Sequence, residues 1–458
     1  MSDASFLPEP RGQPLEEALQ TVHDTEYQSK PVTLFSATLL VIANMIGTGV
    51  FTTLGLQLAS VHSIPSVLLL WVVGGASAFC GALAYGELGA MMPKSGGEYT
   101  YLSNIYHPAA GFLSGCTSIV AGFGAPIALA AIALGHYMQA VFPWVDKTTV
   151  GLCAIAVLTI VHLADVRFGC QFQNVFTTGK ILLICAFIAA GFFTRHPQQI
   201  VLWQANETET IFGPAFAVAL VYVSYAYSGW NASVYVAGEV SKPERSIPIS
   251  LFCGTLFVST CYVLLNFIFL YTVPVQELTG KIDVAYLSAA AIFERSGARI
   301  VTLLICLALF SSLSSMIMAG PRVTQAMGED IDVLRFFAKK NRRGSPVYAI
   351  LLQSSVALIL TATSAFNAIL TYAGFTLALF AFLTVLGVFI LRVKKPGIRR
   401  PFKMLGYPAT LAFYLLLNGW MLCYLLIERP LPSSVGLLTV GFALLLYRLL
   451  AGRTDCTS

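Results

Sequence analysis

The feature that most constrains the fold is a succession of long apolar runs separated by short polar segments. Most runs cover about 17 to 27 residues, and a helix of roughly 20 residues can cross the hydrocarbon core of a bilayer. We predict about twelve spans, near residues 32–59, 66–92, 109–140, 149–165, 172–194, 211–237, 247–272, 298–321, 346–366, 368–392, 406–427 and 432–450. The predicted fold class is therefore an all-α polytopic membrane protein.

The composition agrees with this class. Of the 458 residues, 57% are hydrophobic and 11% are charged, and the mean hydropathy is +0.76, whereas soluble domains are about 25% charged. The net charge of +5 does not indicate nucleic-acid binding, because the basic excess collects in the loops 335–343 and 392–403. The ten cysteines include no CxxC pair, which favours small buried side chains. We expect no metal and no cofactor.

The basic residues predict the orientation. An even number of spans places both termini on one side of the membrane. Roughly 20 of the 27 lysines and arginines fall on that side and about 6 on the other, so both termini should face the cytoplasm. We expect a multi-pass protein of the cell (plasma or inner) membrane, with cytoplasmic tails at residues 1–31 and 451–458.

Two spans are interrupted near their middle. In the first, Gly47, Thr48 and Gly49 weaken the helix, because each glycine costs about 1 kcal/mol relative to alanine. In the sixth, the interruption covers residues 228–231. Unwound backbone at membrane depth must line a cavity, where free N–H and carbonyl groups bind an anion and a cation. The first break alone also fits a flexible helix with closely packed glycines, but the matching pair predicts an inverted-repeat transporter site.

Charged and hydroxyl side chains also occur within or beside the spans. Lys180 lies about two turns into the fifth span, where insertion costs up to roughly 3 kcal/mol. We expect carbonyls, hydroxyls or a carboxylate around it, with extension to the interface as the alternative. Glu87 and Glu98 flank the connection after the second span, and we expect each to pair with basic residues. Ser312 and Ser315 share a helix face in the eighth span, although such serines often bond their own backbone.

Ordered motifs at these positions resemble the amino acid–polyamine–organocation (APC) superfamily. They include Ile46-Gly-Thr-Gly-Val-Phe51, Pro93-Lys-Ser-Gly-Gly-Glu-Tyr99, Tyr227-Ser-Gly-Trp-Asn231 and Gly320-Pro-Arg322. The chain looks most like the L-type amino acid transporters and their bacterial relatives, over about residues 31–402. The resemblance implies a LeuT-like 5+5 inverted repeat with broken helices 1 and 6. The repeats would cover residues 32–194 and 211–392, and two additional helices would cover 405–450.

The resemblance also implies roles at the breaks. The implied substrate-binding residues are Met45, Ile46, Gly47, Thr48, Gly49, Tyr225, Ser228 and Asn231. The N–H groups around Thr48 and Gly49 would bind the substrate carboxylate. The carbonyls of Met45, Tyr225 and Ser228 would bind its ammonium group, and Asn231 would contact the substrate. Tyr225 would also be the gate that closes over the substrate.

Lys180 matches the fifth-helix lysine of the family, which replaces a sodium ion between the first and eighth helices. The resemblance makes Ser312 and Ser315 its hydroxyl neighbours. These residues imply sodium-independent transport of amino acids by alternating access, with exchange as the expected mode. A proton-coupled symporter is the alternative. An enzyme is not expected, because the chain has no HExxH, GxSxG or CxxC motif.

The substrate class and the partners are predicted from residue types that particular segments lack. The segment from Phe112 to His136 in the third span contains no acid and no arginine, and Ser228 stands where cation-transporting relatives carry an acid. We therefore expect small or medium neutral L-amino acids. The loop from Phe142 to Lys147 lacks the cysteine that links animal members to a glycoprotein heavy chain. We expect a bacterial protein without that subunit, working as a monomer in the lipid bilayer.

Overall fold

The computed structural model describes residues 32–454, apart from 62, 165, 196, 201–210, 212, 343 and 364. For residues 166–173, 295 and 451–454 it describes the backbone alone. The predicted tail at residues 1–31 lies outside the described residues. Residues 451–454 of the other predicted tail continue the last helix, and 455–458 lie outside the described residues.

The described residues form helices and one isolated bridge, between Val32 and Val240. The α-helices of the first half are α1 Leu34–Met45, α2 Gly49–Thr52, α3 Leu54–Ser60, α4 Ile64–Met91, α5 Glu98–Ile105, α6 Pro108–Thr117, α7 Ala125–Val141, α8 Lys147–Ala164 and α9 Val166–Phe192. A π-helix, Ser118–Gly124, joins α6 to α7.

The second half continues in the same way. Its α-helices are α10 Pro214–Tyr227, α11 Ala232–Tyr235, α12 Pro243–Thr272, α13 Val275–Leu278, α14 Val284–Ala319, α15 Pro321–Asp330, α16 Val347–Thr363, α17 Phe366–Lys394, α18 Ala409–Glu428 and α19 Pro430–Thr454. Two 3₁₀ segments, Ala237–Glu239 and Asp332–Ala338, lie between them. Helix α14 is kinked at Glu294, whose φ is 58°.

Ten segments of the described chain are long and apolar enough to cross a membrane. The chain is thus an integral multi-pass membrane protein. The expected spans at 211–237 and 346–366 contain shorter apolar helices, α10 with 14 residues and α16 with 17. The twelve-span count and the inverted repeat stay predictions.

The two interrupted spans pack against each other through glycines. Gly229 has a φ of 95°, and a Cβ atom there would lie 2.8 Å from the carbonyl carbon of Asn44. A Cβ atom on Gly49 would lie 2.3 Å from the Cα atom of Ala226. A side chain at either position would collide with backbone, so glycine permits the close approach of the two breaks.

A buried ion cluster ties α4 to α17 and to the loop that follows it. Glu87, which is 1% exposed, accepts hydrogen bonds from Arg392 Nη2 at 2.5 Å and from the N–H of Met404 at 2.7 Å. Arg400 Nε lies 3.3 Å from its other oxygen. The predicted pairing of Glu87 with basic residues is confirmed.

Candidate functional site

The backbone is unwound at both expected places. Between α1 and α2, residues 46–48 are not helical, and between α10 and α11 the turn covers residues 228–231. The N–H groups of Thr48 and Gly49 have no acceptor among the hydrogen bonds of the described residues. The first N–H groups of a helix have no partner within it, so this pair is available to an anion.

The three carbonyls expected to bind the ammonium group of the substrate differ in the number of hydrogen bonds that they already accept. The Met45 carbonyl accepts the N–H of Gly47 at 2.7 Å and the hydroxyl of Tyr262. The Tyr225 carbonyl accepts the N–H of Ser228 at 2.9 Å. The Ser228 carbonyl accepts no hydrogen bond within the described part of the chain. Tyr262 of α12, which the sequence did not reveal, therefore occupies an acceptor that was assigned to the substrate.

Lys180 belongs to α9, and its side chain contacts α1, the unwound segment after α1, and α14. Its side chain is 2% exposed, and its Nζ atom donates to the carbonyl of Ile46 at 2.7 Å and to Ser312 Oγ at 2.7 Å. The carbonyl of Ala43 is 3.4 Å away. Because the carbonyl of Ile46 belongs to the unwound segment, the ammonium group connects the first break to α14. This burial excludes extension of the side chain to the membrane interface.

The two serines of α14 are not equivalent. Ser312 Oγ contacts Lys180 and lies 2.9 Å from the carbonyl of Ile46. Ser315 donates its hydroxyl hydrogen to the carbonyl of Ser312 at 2.9 Å and makes no hydrogen bond with Lys180 among those of the described residues. The hydroxyl of Ser315 bonds its own helix, and its expected place beside the lysine stays a prediction.

A cavity of about 90 Å³ lies beside the second break. Of the expected substrate-binding residues, Tyr225, Ser228 and Asn231 line it. Residues 45–49 are not among its described lining residues, although Asn44 is. Tyr225 is 5% exposed and its side chain lies near the side chain of Thr48, so it connects the cavity to the first break.

Glu98, in the first turn of α5, also lines this cavity. One of its oxygens accepts from the Tyr85 hydroxyl at 2.8 Å and from Asn231 Nδ2 at 2.7 Å, and the other accepts the hydroxyl of Tyr235. No ion pair among the described residues includes Glu98, so its predicted pairing with basic residues is wrong. The sequence shows the charge of Glu98 but not the hydroxyl and amide groups that tertiary packing places around it.

Two ion pairs lie beside a second cavity. Lys94 lies 3.2 Å from Asp330, and Arg322 Nε lies 3.0 Å from Glu239. The cavity beside them has a volume of about 370 Å³. Both pairs join α15 to segments that follow α4 and α11.

Comparisons with known protein sequences show which family the chain resembles. The profile of the family described as "Amino acid permease" matches residues 32–445. The large neutral amino acids transporter small subunit 2 of Rattus norvegicus is 30% identical over 424 residues, which cover 89% of this chain and 78% of the relative. The serine/threonine exchanger SteT of Bacillus subtilis is 28% identical over 393 residues, which cover 83% and 87%. The b(0,+)-type amino acid transporter 1 of Mus musculus is 27% identical over 400 residues, with 84% and 81% covered.

The family profile covers most of the chain, and relatives named as amino acid transporters match along nearly the same length. The resemblance derived from the ordered motifs is thereby confirmed. The chain belongs to the amino acid permease family of the APC superfamily.

Proposed function

We propose that the protein is a sodium-independent transporter that exchanges small or medium neutral L-amino acids by alternating access. The observation that carries this proposal is the contact of Lys180 Nζ with the carbonyl of Ile46 and with Ser312 Oγ, both at 2.7 Å. A sodium ion between α1 and α14 would require the same oxygen atoms as ligands. Because the ammonium group already engages them, transport needs no dissociable cation at this place.

The substrate would lie between the two breaks. The N–H groups of Thr48 and Gly49 would bind its carboxylate, and the carbonyls of Ser228 and Tyr225 would bind its ammonium group. The carbonyl of Met45 would join them once the hydroxyl of Tyr262 moves away. Tyr225 would close over the bound substrate.

We expect the substrate to have a neutral side chain, because the one acidic residue among the described residues beside the cavity already accepts hydrogen bonds from the protein. Glu98 is the one ionisable side chain other than tyrosine among its described lining residues, and its oxygens already accept three hydrogen bonds. Two similar proteins are named for neutral substrates, as a serine/threonine exchanger and as a transporter of large neutral amino acids.

The proposal includes the membrane arrangement expected from the sequence. The chain would form a 5+5 inverted repeat followed by two further helices, with both termini in the cytoplasm. It would work in the cell membrane as a monomer without a heavy chain.

Uptake of labelled alanine by purified protein in liposomes tests the function. We expect uptake to require an internal amino acid and to be equal in sodium and choline media, because Lys180 supplies the fixed cation. A several-fold dependence on sodium would contradict sodium independence. Accumulation in empty liposomes driven by external acid would instead indicate a proton-coupled symporter.

Competition against labelled alanine tests the substrate class. We expect neutral amino acids such as serine and cysteine to compete and charged ones to compete poorly. Inhibition by arginine or glutamate as strong as that by alanine would contradict a neutral side-chain site.

A further inference from the structure

Glu98 and Asn231 form a hydrogen-bonded pair in the wall of the cavity beside the second break. Asn231 Nδ2 donates to Glu98 at 2.7 Å and lies 3.3 Å from the hydroxyl oxygen of Tyr235. Tyr235 in turn donates its hydroxyl hydrogen to the second oxygen of Glu98. The two hydrogens of the asparagine amide therefore both have acceptors.

The carboxylate of Glu98 determines the orientation of the side-chain amide of Asn231. An ionised carboxylate can only accept hydrogen bonds, whereas an amide offers a donating nitrogen and an accepting oxygen. Three donors converge on Glu98, from Tyr85, Asn231 and Tyr235, so both of its oxygens act as acceptors. If the amide were reversed, its oxygen would face the carboxylate and two acceptors would meet in a buried site, which is unfavourable because neither would have a donor.

The amide oxygen of Asn231 is left as an acceptor. It receives no hydrogen bond within the described part of the chain. Asn231 lines the cavity and is partly exposed, so this oxygen is accessible to a bound molecule. A molecule with an O–H or N–H group could donate to it, and an apolar group of the same size could not.

We propose that Glu98 is a positioning residue that holds the amide oxygen of Asn231 toward the cavity, so that the site favours amino acids whose side chain donates a hydrogen bond. This inference rests on the proposed function and specifies its substrates. Serine and threonine carry such a donor on a small side chain. Glu98 acts through Asn231 and does not itself contact the substrate.

The test compares two substrates of almost the same shape, L-serine and L-2-aminobutyrate, which differ by a hydroxyl in place of a methyl group. The ratio of their kcat/KM values for exchange is measured with purified protein in liposomes loaded with alanine. A neutral hydrogen bond contributes about 1 kcal/mol, so we expect the protein to favour serine about five-fold or more. Asn231→Ala should bring the ratio close to one.

Glu98→Gln should also lower the ratio, because a glutamine can donate to Asn231 and no longer dictates the direction of its amide. The double variant Glu98→Gln/Asn231→Asp should restore the preference for serine. Its glutamine would donate to one oxygen of the new carboxylate and leave the other facing the cavity, with the total charge unchanged. Asn231→Asp alone should be poorer than the double variant, because two carboxylates would then be adjacent. The exposed Glu277 provides the control Glu277→Gln, which should leave the ratio unchanged.

Size-exclusion profiles and thermal midpoints identify variants that do not fold. If Glu98→Gln is one of them, Tyr235→Phe replaces it, since it removes one acceptor of the amide and should lower the ratio in part. A ratio unchanged in Glu98→Gln or in Tyr235→Phe would overturn the inference, as would a double variant no better than Glu98→Gln. A protein that exchanges alanine but does not prefer serine would overturn the inference and leave the proposed function intact. Absence of any amino acid exchange would contradict the proposed function itself.

Discussion

The proposed mechanism depends most on Lys180, because its buried ammonium group takes the place of a sodium ion. Lys180→Met should reduce exchange roughly ten-fold or more, because hydrogen bonds from a charged donor contribute about 1.5–3 kcal/mol and the carbonyl of Ile46 would lose its charged donor and keep the hydroxyl of Ser312. The measurement is the initial rate of alanine exchange in liposomes. Lys281→Met, which changes an exposed lysine, is the control. A normal rate for Lys180→Met would show that the contacts of the lysine are only structural.

Tyr225 is the residue expected to close over the bound substrate. Tyr225→Ala should lower the turnover number several-fold more than the affinity for the substrate, because the site remains but nothing closes over it. The affinity is measured by competition binding and the turnover by exchange. Tyr225→Phe keeps the ring and removes only the hydroxyl near Thr48, so it should lose much less activity. Equal losses of affinity and turnover would indicate that Tyr225 serves as core packing.

The contact between the two broken helices depends on glycine. Gly49→Ala would place a Cβ atom 2.3 Å from the Cα atom of Ala226, and such overpacking typically costs about 1–3 kcal/mol. We expect a lower thermal midpoint in detergent and slower exchange. Gly179→Ala is the matched control, because a Cβ atom there meets nothing within 4 Å and alanine favours a helix by up to about 1 kcal/mol. Similar midpoints for the two variants would contradict the importance of the contact.

The same elements show what a sequence reveals and what it conceals. The positions of both breaks could be predicted, because the weakness of a helix at Gly47 and Gly49 is a local property of the chain. The burial of Lys180 followed from its place in an apolar span. The partners of Glu98 and the different contacts of Ser312 and Ser315 could not be predicted, since each depends on side chains that tertiary packing brings together. Tyr262 was missed for the same reason.

At the scale of the whole molecule, the ion cluster of Glu87 fastens together segments that are distant in sequence. Glu87→Gln would leave Arg392 and Arg400 without their buried partner, and breaking a buried pair in this way costs about 3–5 kcal/mol. The thermal midpoint should fall by several degrees. Glu244→Gln is the control, because its partner Arg399 is 62% exposed and an exposed pair contributes at most about 1 kcal/mol. Equal midpoints would contradict a stabilising role for the cluster.

Because the ammonium group of Lys180 is covalently attached to the chain, it affects which free energy can drive transport. A sodium ion enters with the substrate, leaves on the other side and contributes the free energy of its own gradient. An ammonium group fixed to a helix returns to its starting point in every cycle and contributes none. An exchanger built in this way keeps the number of amino acid molecules inside the cell constant. What it changes is the composition of the pool, with the most abundant internal amino acid driving the entry of the others.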